Sequence, residues 1–131
     1  MAGPKSPTGI NADGKPRSAI AGAVYYIIFW EPTETSGDRG KVHPGHIASV
    51  KALEKDGKLL QAGPFLGDDG KPNGYGMFIL RVASADEAHA IAQADPYYVN
   101  GYRTYRLQPW RRSEGSLNLR VNIAEGTVTL D

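Results

Sequence analysis

Val24-Tyr25-Tyr26-Ile27-Ile28-Phe29-Trp30 is the stretch whose reading decides the fold. It is β-branched and aromatic throughout, which suits a buried strand. Side chains alternate along a strand, so Tyr25, Ile27 and Phe29 take one face and Tyr26, Ile28 and Trp30 the other. Both faces are apolar, and both must be covered. The surrounding apolar run, Ala19 to Trp30, follows Lys15 and Arg17 much as a signal peptide follows its basic residues. It falls short of the about 20 residues needed to cross a bilayer and lacks a leucine- or alanine-rich centre. We therefore read it as structure, and expect a soluble protein that stays in the cytoplasm.

Composition narrows the field further. The 131 residues are 40% hydrophobic and 22% charged, which gives one globular domain with a modest core. Fifteen basic and 14 acidic residues leave a net charge of +1, so neither nucleic acid nor an anionic membrane is an expected partner. The sequence has no cysteine, which excludes disulfides, thiol nucleophiles and cysteine-ligated metals.

Outward from the first strand, residues 1–22 carry Gly3, Pro4, Pro7, Gly9, Gly14, Pro16 and Gly22 with no apolar period, and read as a flexible leader. On the other side a polar loop, Glu31 to Lys41, leads to Pro44-Gly45, a helix-start signal. With about 100° per residue, Val50 and Leu53 fall within about 40° of His46, an apolar stripe that Gly57 ends. Lys58 to Phe65 and Tyr75 to Val82 read as strands around the turn-rich Gly67 to Gly74. Ser84-Ala85-Asp86-Glu87 is a capping box, opening a second helix that buries Ala88, Ile91 and Ala92 and ends at Asp95-Pro96. Tyr102 to Trp110 is the fourth strand.

The order β-α-β-β-α-β is an α+β, ferredoxin-like arrangement over residues 23–110. Helices cover one sheet face only, so a second copy covering the other makes a homodimer the expectation. In residues 111–131, Leu117, Leu119, Val121 and Ile123 alternate with polar residues, and Ala124-Glu125-Gly126 turns into Thr127 to Leu130. This predicts an added C-terminal β-hairpin with one buried face, laid along a partner subunit.

His46 lies at the centre of its helix's apolar stripe, and imidazole titrates near neutrality. Asp95 lies about 20° from Ala88 on the buried side of the second helix. In this topology the first helix begins where the second ends, so connectivity alone brings His46 and Asp95 to one edge. A buried carboxylate that orients a histidine is a proton-transfer unit. The same residues also fit a core histidine and a capping aspartate. Tyr97 follows Asp-Pro and stands near the pair, where a phenol binds a polar substrate. His43-x-x-His46 lacks a third ligand on its element, and His89 lies on the flank of the other helix, so no metal is expected. Arg103, Arg106, Arg111 and Arg112 read as a local basic patch near Tyr105 and Trp110.

His43-Pro44-Gly45-His46-Ile47, Gly57 to Phe65 with Gln61-Ala62-Gly63-Pro64, Gly74-Tyr75-Gly76, Asp95-Pro96-Tyr97 and Gly101 to Trp110 follow one another in an order that resembles the YciI-like, YCII-related family. The resemblance covers residues 24–110. It implies a dimeric α+β barrel of two ferredoxin-like sheets packed face to face, with a His-Asp site that falls on His46 and Asp95. It also implies kinship with muconolactone isomerase and with dehydrochlorination of a chlorinated hydroquinone. Both chain ends depart from the family pattern.

The expectation is a lyase or isomerase for a small cyclic or unsaturated substrate, with His46 and Asp95 catalytic and His43, Tyr97, Gly63 and Pro64 binding. Moving a proton needs no redox cofactor, and none is expected. A non-catalytic metabolite-binding module or an accessory protein of the same fold is the alternative.

Overall fold

The computed structural model describes residues 23–130; the leader expected over 1–22 lies outside them. The elements run β1 (Val24–Pro32), α1 (Arg39–Lys55), β2 (Leu59–Leu66), β3 (Pro72–Leu80), α2 (Ala85–Ala94), α3 (Pro96–Val99), β4 (Arg103–Arg111), β5 (Leu119–Asn122) and β6 (Thr127–Leu130). The first four strands form one antiparallel sheet in the order β2-β3-β1-β4, which is the ferredoxin-like α+β topology. β1 sits inside the sheet, as its two apolar faces require. Pro64, which cannot donate to a ladder, sits on the edge strand β2.

Register assigns the faces. Tyr26, Ile28 and Trp30 pair with Leu80, Phe78 and Gly76 on one side of β1, and with Pro109, Leu107 and Tyr105 on the other. This row faces the helices. Ile28, Trp30, Phe78, Leu80 and Val82 join Ala88 and Ala92 of α2 in the main core, with Val50 and Leu53 of α1 packed against it. Each fully buried large side chain here contributes about 1.5–3 kcal/mol through burial. The opposite face carries a smaller cluster of Tyr25, Ile27 and Ile79, edged by Phe29, Leu60 and Met77.

α2 begins as its capping box requires. The Glu87 backbone N–H donates to Ser84 Oγ at 3.2 Å, and Glu87 Oε2 accepts from the Ala83 N–H. α1 corrects the sequence reading: it starts at Arg39, five residues before Pro44. Asp38 is the reason, since its carboxylate accepts from the Gly40 N–H at 3.0 Å and caps the helix. Pro44 therefore stands inside the helix, at the cost of one backbone hydrogen bond to Gly40. Gly57, at φ +73°, ends α1 as expected. Asp95-Pro96 closes α2 but also opens the one-turn helix α3, with Asp95 as its cap.

β5 and β6 form the expected C-terminal hairpin, as a separate two-stranded sheet. Its apolar row is not buried within the chain: Leu117, Leu119, Val121 and Ile123 are exposed. The arginine patch is also divided. Alternation along β4 puts Arg103 on the helix side with Tyr105 and Leu107, and Arg106 on the other with Phe29. No helix among the described residues is long and apolar enough to cross a membrane.

Candidate active site

The first turns of α1, the end of α2 and α3 meet over the helix-side face of the sheet, beside Phe78. Gly45 lies at the point of approach. A Cβ there would stand 3.4 Å from Pro96 Cγ, in van der Waals contact, so α1 and α3 pack closely at this point. The next residue, His46, is thereby held against Asp95.

His46 Nδ1 lies 2.7 Å from Asp95 Oδ2. The two residues are 8% and 3% exposed, the two buried polar residues of the described chain. A carboxylate only accepts, so Nδ1 carries the donated proton, and in the neutral ring the lone pair then lies on Nε2. Nε2 has no hydrogen-bond partner among the described residues. The other carboxylate oxygen, Oδ1, accepts the Tyr97 backbone N–H at 2.9 Å. Asp95 thus caps α3 and orients His46 at once, and the capping and catalytic readings of this residue are compatible.

Tyr97 completes the group. Its ring centroid is 4.9 Å from that of His46, and its hydroxyl shares a hydrogen bond of 2.8 Å with His43 Nδ1. The four residues His43, His46, Asp95 and Tyr97 therefore form one cluster. His89 is elsewhere, bonded through Nδ1 to the Tyr105 hydroxyl. No group of three or more His, Cys, Asp or Glu side chains among the described residues is placed to hold a metal ion.

Gly63 and Pro64 sit apart from the cluster, on exposed edge strand β2. Pro64 pairs with Gly76 and shares the helix-side face; Gly63 pairs with Met77 and belongs to the other. Gly76 has no side chain because a Cβ would come within 3.1 Å of the Gly63 carbonyl oxygen. That bare position lies one place along the helix-side row from Phe78, over which His46 stacks.

Arg103 belongs to this site, although its run of neighbours suggests a surface patch. Its guanidinium lies 4.2 Å from the Tyr97 ring centroid and 5.9 Å from that of Trp30. Burial pushes the guanidinium below the ordinary arginine value; Asp95 and Tyr97 oppose this, and Arg39 adds to it. It stays charged, because an arginine starts far above neutrality. The alternation Arg103-Tyr105-Leu107 was the available signal, since the other two members of that row are helix-facing aromatic and aliphatic side chains.

A cavity of about 420 Å³ lies on the opposite face of the sheet, between Leu60, Ile79 and Trp110 and the segment from Arg112 to Leu117. It is separated from His46 by the sheet itself.

Comparison with known proteins agrees with this architecture. Residues 24–111 match the model of the YCII-related domain. The chain is 30% identical over 95 residues to Protein YciI of Escherichia coli O6:H1 and equally to that of Shigella flexneri, covering 68% of this chain and 97% of each relative. A solved structure of similar fold is the 5-chloro-2-hydroxyhydroquinone dehydrochlorinase of Burkholderia phenoliruptrix AC1100, in complex with 2,5-dihydroxybenzoquinone. It has a TM-score of 0.56 and 24% identity, over 66% of this chain and 93% of the other. By the domain match and the identity to the YciI proteins, the chain belongs to the YCII-related family.

Proposed function

We propose that the protein is a lyase or isomerase that acts on a small cyclic or unsaturated substrate, with His46 as the proton carrier and Asp95 as its orienting partner. The observation that carries this reading is the buried 2.7 Å hydrogen bond from His46 to Asp95. With Nδ1–H donated to the carboxylate, Nε2 is free to take a proton from a substrate C–H or O–H. The electron pair left behind expels a leaving group from the neighbouring carbon in an elimination. In an isomerisation, Nε2 returns the proton at another carbon. The Asp95 carboxylate stabilises the imidazolium between the two steps. His43 and Tyr97, joined at 2.8 Å, are the polar groups beside the ring that hold the substrate, and of the two β2 residues Pro64 alone shares their side of the sheet, Gly63 facing the other.

The dehydrochlorinase supports the reading, since its name records loss of hydrogen and chloride from a hydroxylated ring on the same fold. The reading includes a homodimer joined through the face of Tyr25, Ile27 and Ile79, which the chain's own helices do not cover.

The test is chloride release from 5-chloro-2-hydroxyhydroquinone and related ring compounds. Turnover should fall by about 10²–10⁴-fold in His46→Gln with the circular dichroism spectrum preserved. Wild-type turnover in that variant would end the proposal.

A further inference from the structure

We propose that Arg103 and the indole N–H of Trp30 form an oxyanion subsite beside His46, so that the substrate is a planar ring bearing an ionised oxygen. This rests on the proton-transfer reading above and specifies its substrate class. The two groups lie close together and neither has an acceptor among the described residues. Arg103 presents five N–H donors, yet among the described residues it makes no hydrogen bond and no ion pair. Trp30 is 1% exposed, and its Nε1–H is buried with no acceptor among the described residues. A buried donor in a native protein has a partner, so the Trp30 N–H calls for an acceptor, and the half-buried Arg103 guanidinium, 5.9 Å from the indole centroid, would share a ligand oxygen placed there.

Asp95 acts on the Arg103 charge but makes no hydrogen bond or ion pair with it. One carboxylate oxygen holds His46 and the other holds the Tyr97 N–H. Nor is Arg39 free to act in its place, because its guanidinium donates to the carbonyls of Tyr102 and Thr33 at 2.8 and 2.9 Å. Arg103 is left as a cation stacked on Tyr97, whose ring lies against His46. Negative charge appears on a substrate oxygen when His46 removes a proton from the adjoining carbon, and a preplaced guanidinium stabilises that charge.

The chain has two tryptophans, Trp30 and Trp110, and they stand on opposite faces of the sheet. Two indole N–H signals therefore report the two faces in ¹⁵N–¹H spectra of the full-length protein, assigned through Trp110→Phe. The probes are p-nitrophenolate and benzoate, at an alkaline pH where both are ionised, and neutral 4-nitroanisole. We expect at least one anion to shift the Trp30 signal and leave Trp110 in place. Arg103→Gln should weaken that anion by about 10–100-fold, the scale of a charge-assisted hydrogen bond, without changing 4-nitroanisole binding. Phenolate alone binding assigns an enolate or phenolate oxygen, and benzoate alone a carboxylate. The subsite is refuted if neither anion moves Trp30, if Trp110 moves instead, or if Arg103→Gln binds as well as wild type. His46→Gln separates the two readings. It should keep anion binding, and anion binding that depends on Arg103 beside normal turnover in His46→Gln would leave the subsite standing and end the proton-transfer reading.

Discussion

Leu80 and Ile79 are neighbours in the chain and point to opposite sides of β3. Leu80 is fully buried between sheet and helices, in the cluster that also holds Ile28, Trp30 and Phe78. Ile79, 7% exposed, joins a smaller buried cluster edged by Phe29 and Met77, on a face that no helix among the described residues covers and with a cavity beside it. The arginines differ in the same way. Arg103 is partly buried in the helix-side site, whereas Arg106 and Arg112 stack over Phe29 and Tyr25 on the outer face. The helix side is closed within one chain and can therefore hold a dry polar pair. The outer face is lined by cations and aromatic rings, which suits a surface completed by something else.

That contrast is tested most severely at the two adjacent residues. Leu80→Ala should cost about 3–4 kcal/mol in urea denaturation, because its cavity is walled on all sides. Ile79→Ala, in a smaller cluster, should cost less, about 2 kcal/mol, in dilute protein. If two copies pack through the outer face, the melting temperature of the wild type rises with protein concentration, and Ile79→Arg removes that dependence. Equal losses at both positions would dissolve the distinction between the faces.

Asp95 sharpens the helix side. Asp95→Ala removes both the cap of α3 and the partner of His46, and should cost about 2–3 kcal/mol in the same denaturation experiment. Asp95→Asn should retain most of that stability, since an amide oxygen still caps the Tyr97 N–H. Its amide N–H would face His46 Nδ1 and move the imidazole proton to Nε2. Turnover should then fall about as far as in His46→Gln.

These residues also mark how much of the site is legible in the sequence. His46 and Asp95 were legible together because helix periodicity and strand connectivity are both local rules, and the βαββαβ order converts them into proximity. The start of α1 was not, because Pro44 offered a start signal while the true cap, Asp38, stood in a stretch with no apolar period. Arg103 was legible as a member of β4, but not as part of the site, because which side of a strand the helices cover is a tertiary fact. The hairpin's period of two was legible and the fate of its apolar row was not. Alternation says that residues share a face, never what covers it.

On the outer face, Arg106→Ala should cost about 0.5–1 kcal/mol, the scale of an exposed cation–π contact. The guanidinium lies 4.3 Å from the Phe29 ring centroid, and the double change with Phe29→Leu should cost less than the sum of the two single changes. Strict additivity would mean that the stacking carries no energy and that Arg106 is simply solvated.

The smallest effect is expected in the hairpin. Ile123 is 92% exposed, so Ile123→Ser deletes an apolar side chain that touches little of its own chain. In dilute protein its stability should stay within about 0.5 kcal/mol of wild type. Size-exclusion chromatography at increasing concentration is the paired measurement. An apolar row left open by the monomer favours association, and a serine should weaken association while leaving the unfolding of the dilute protein unchanged. A loss of more than about 1 kcal/mol in dilute protein would instead mean that Ile123 is covered in solution within the single chain. The hairpin would then belong with the closed side of the comparison rather than the open one.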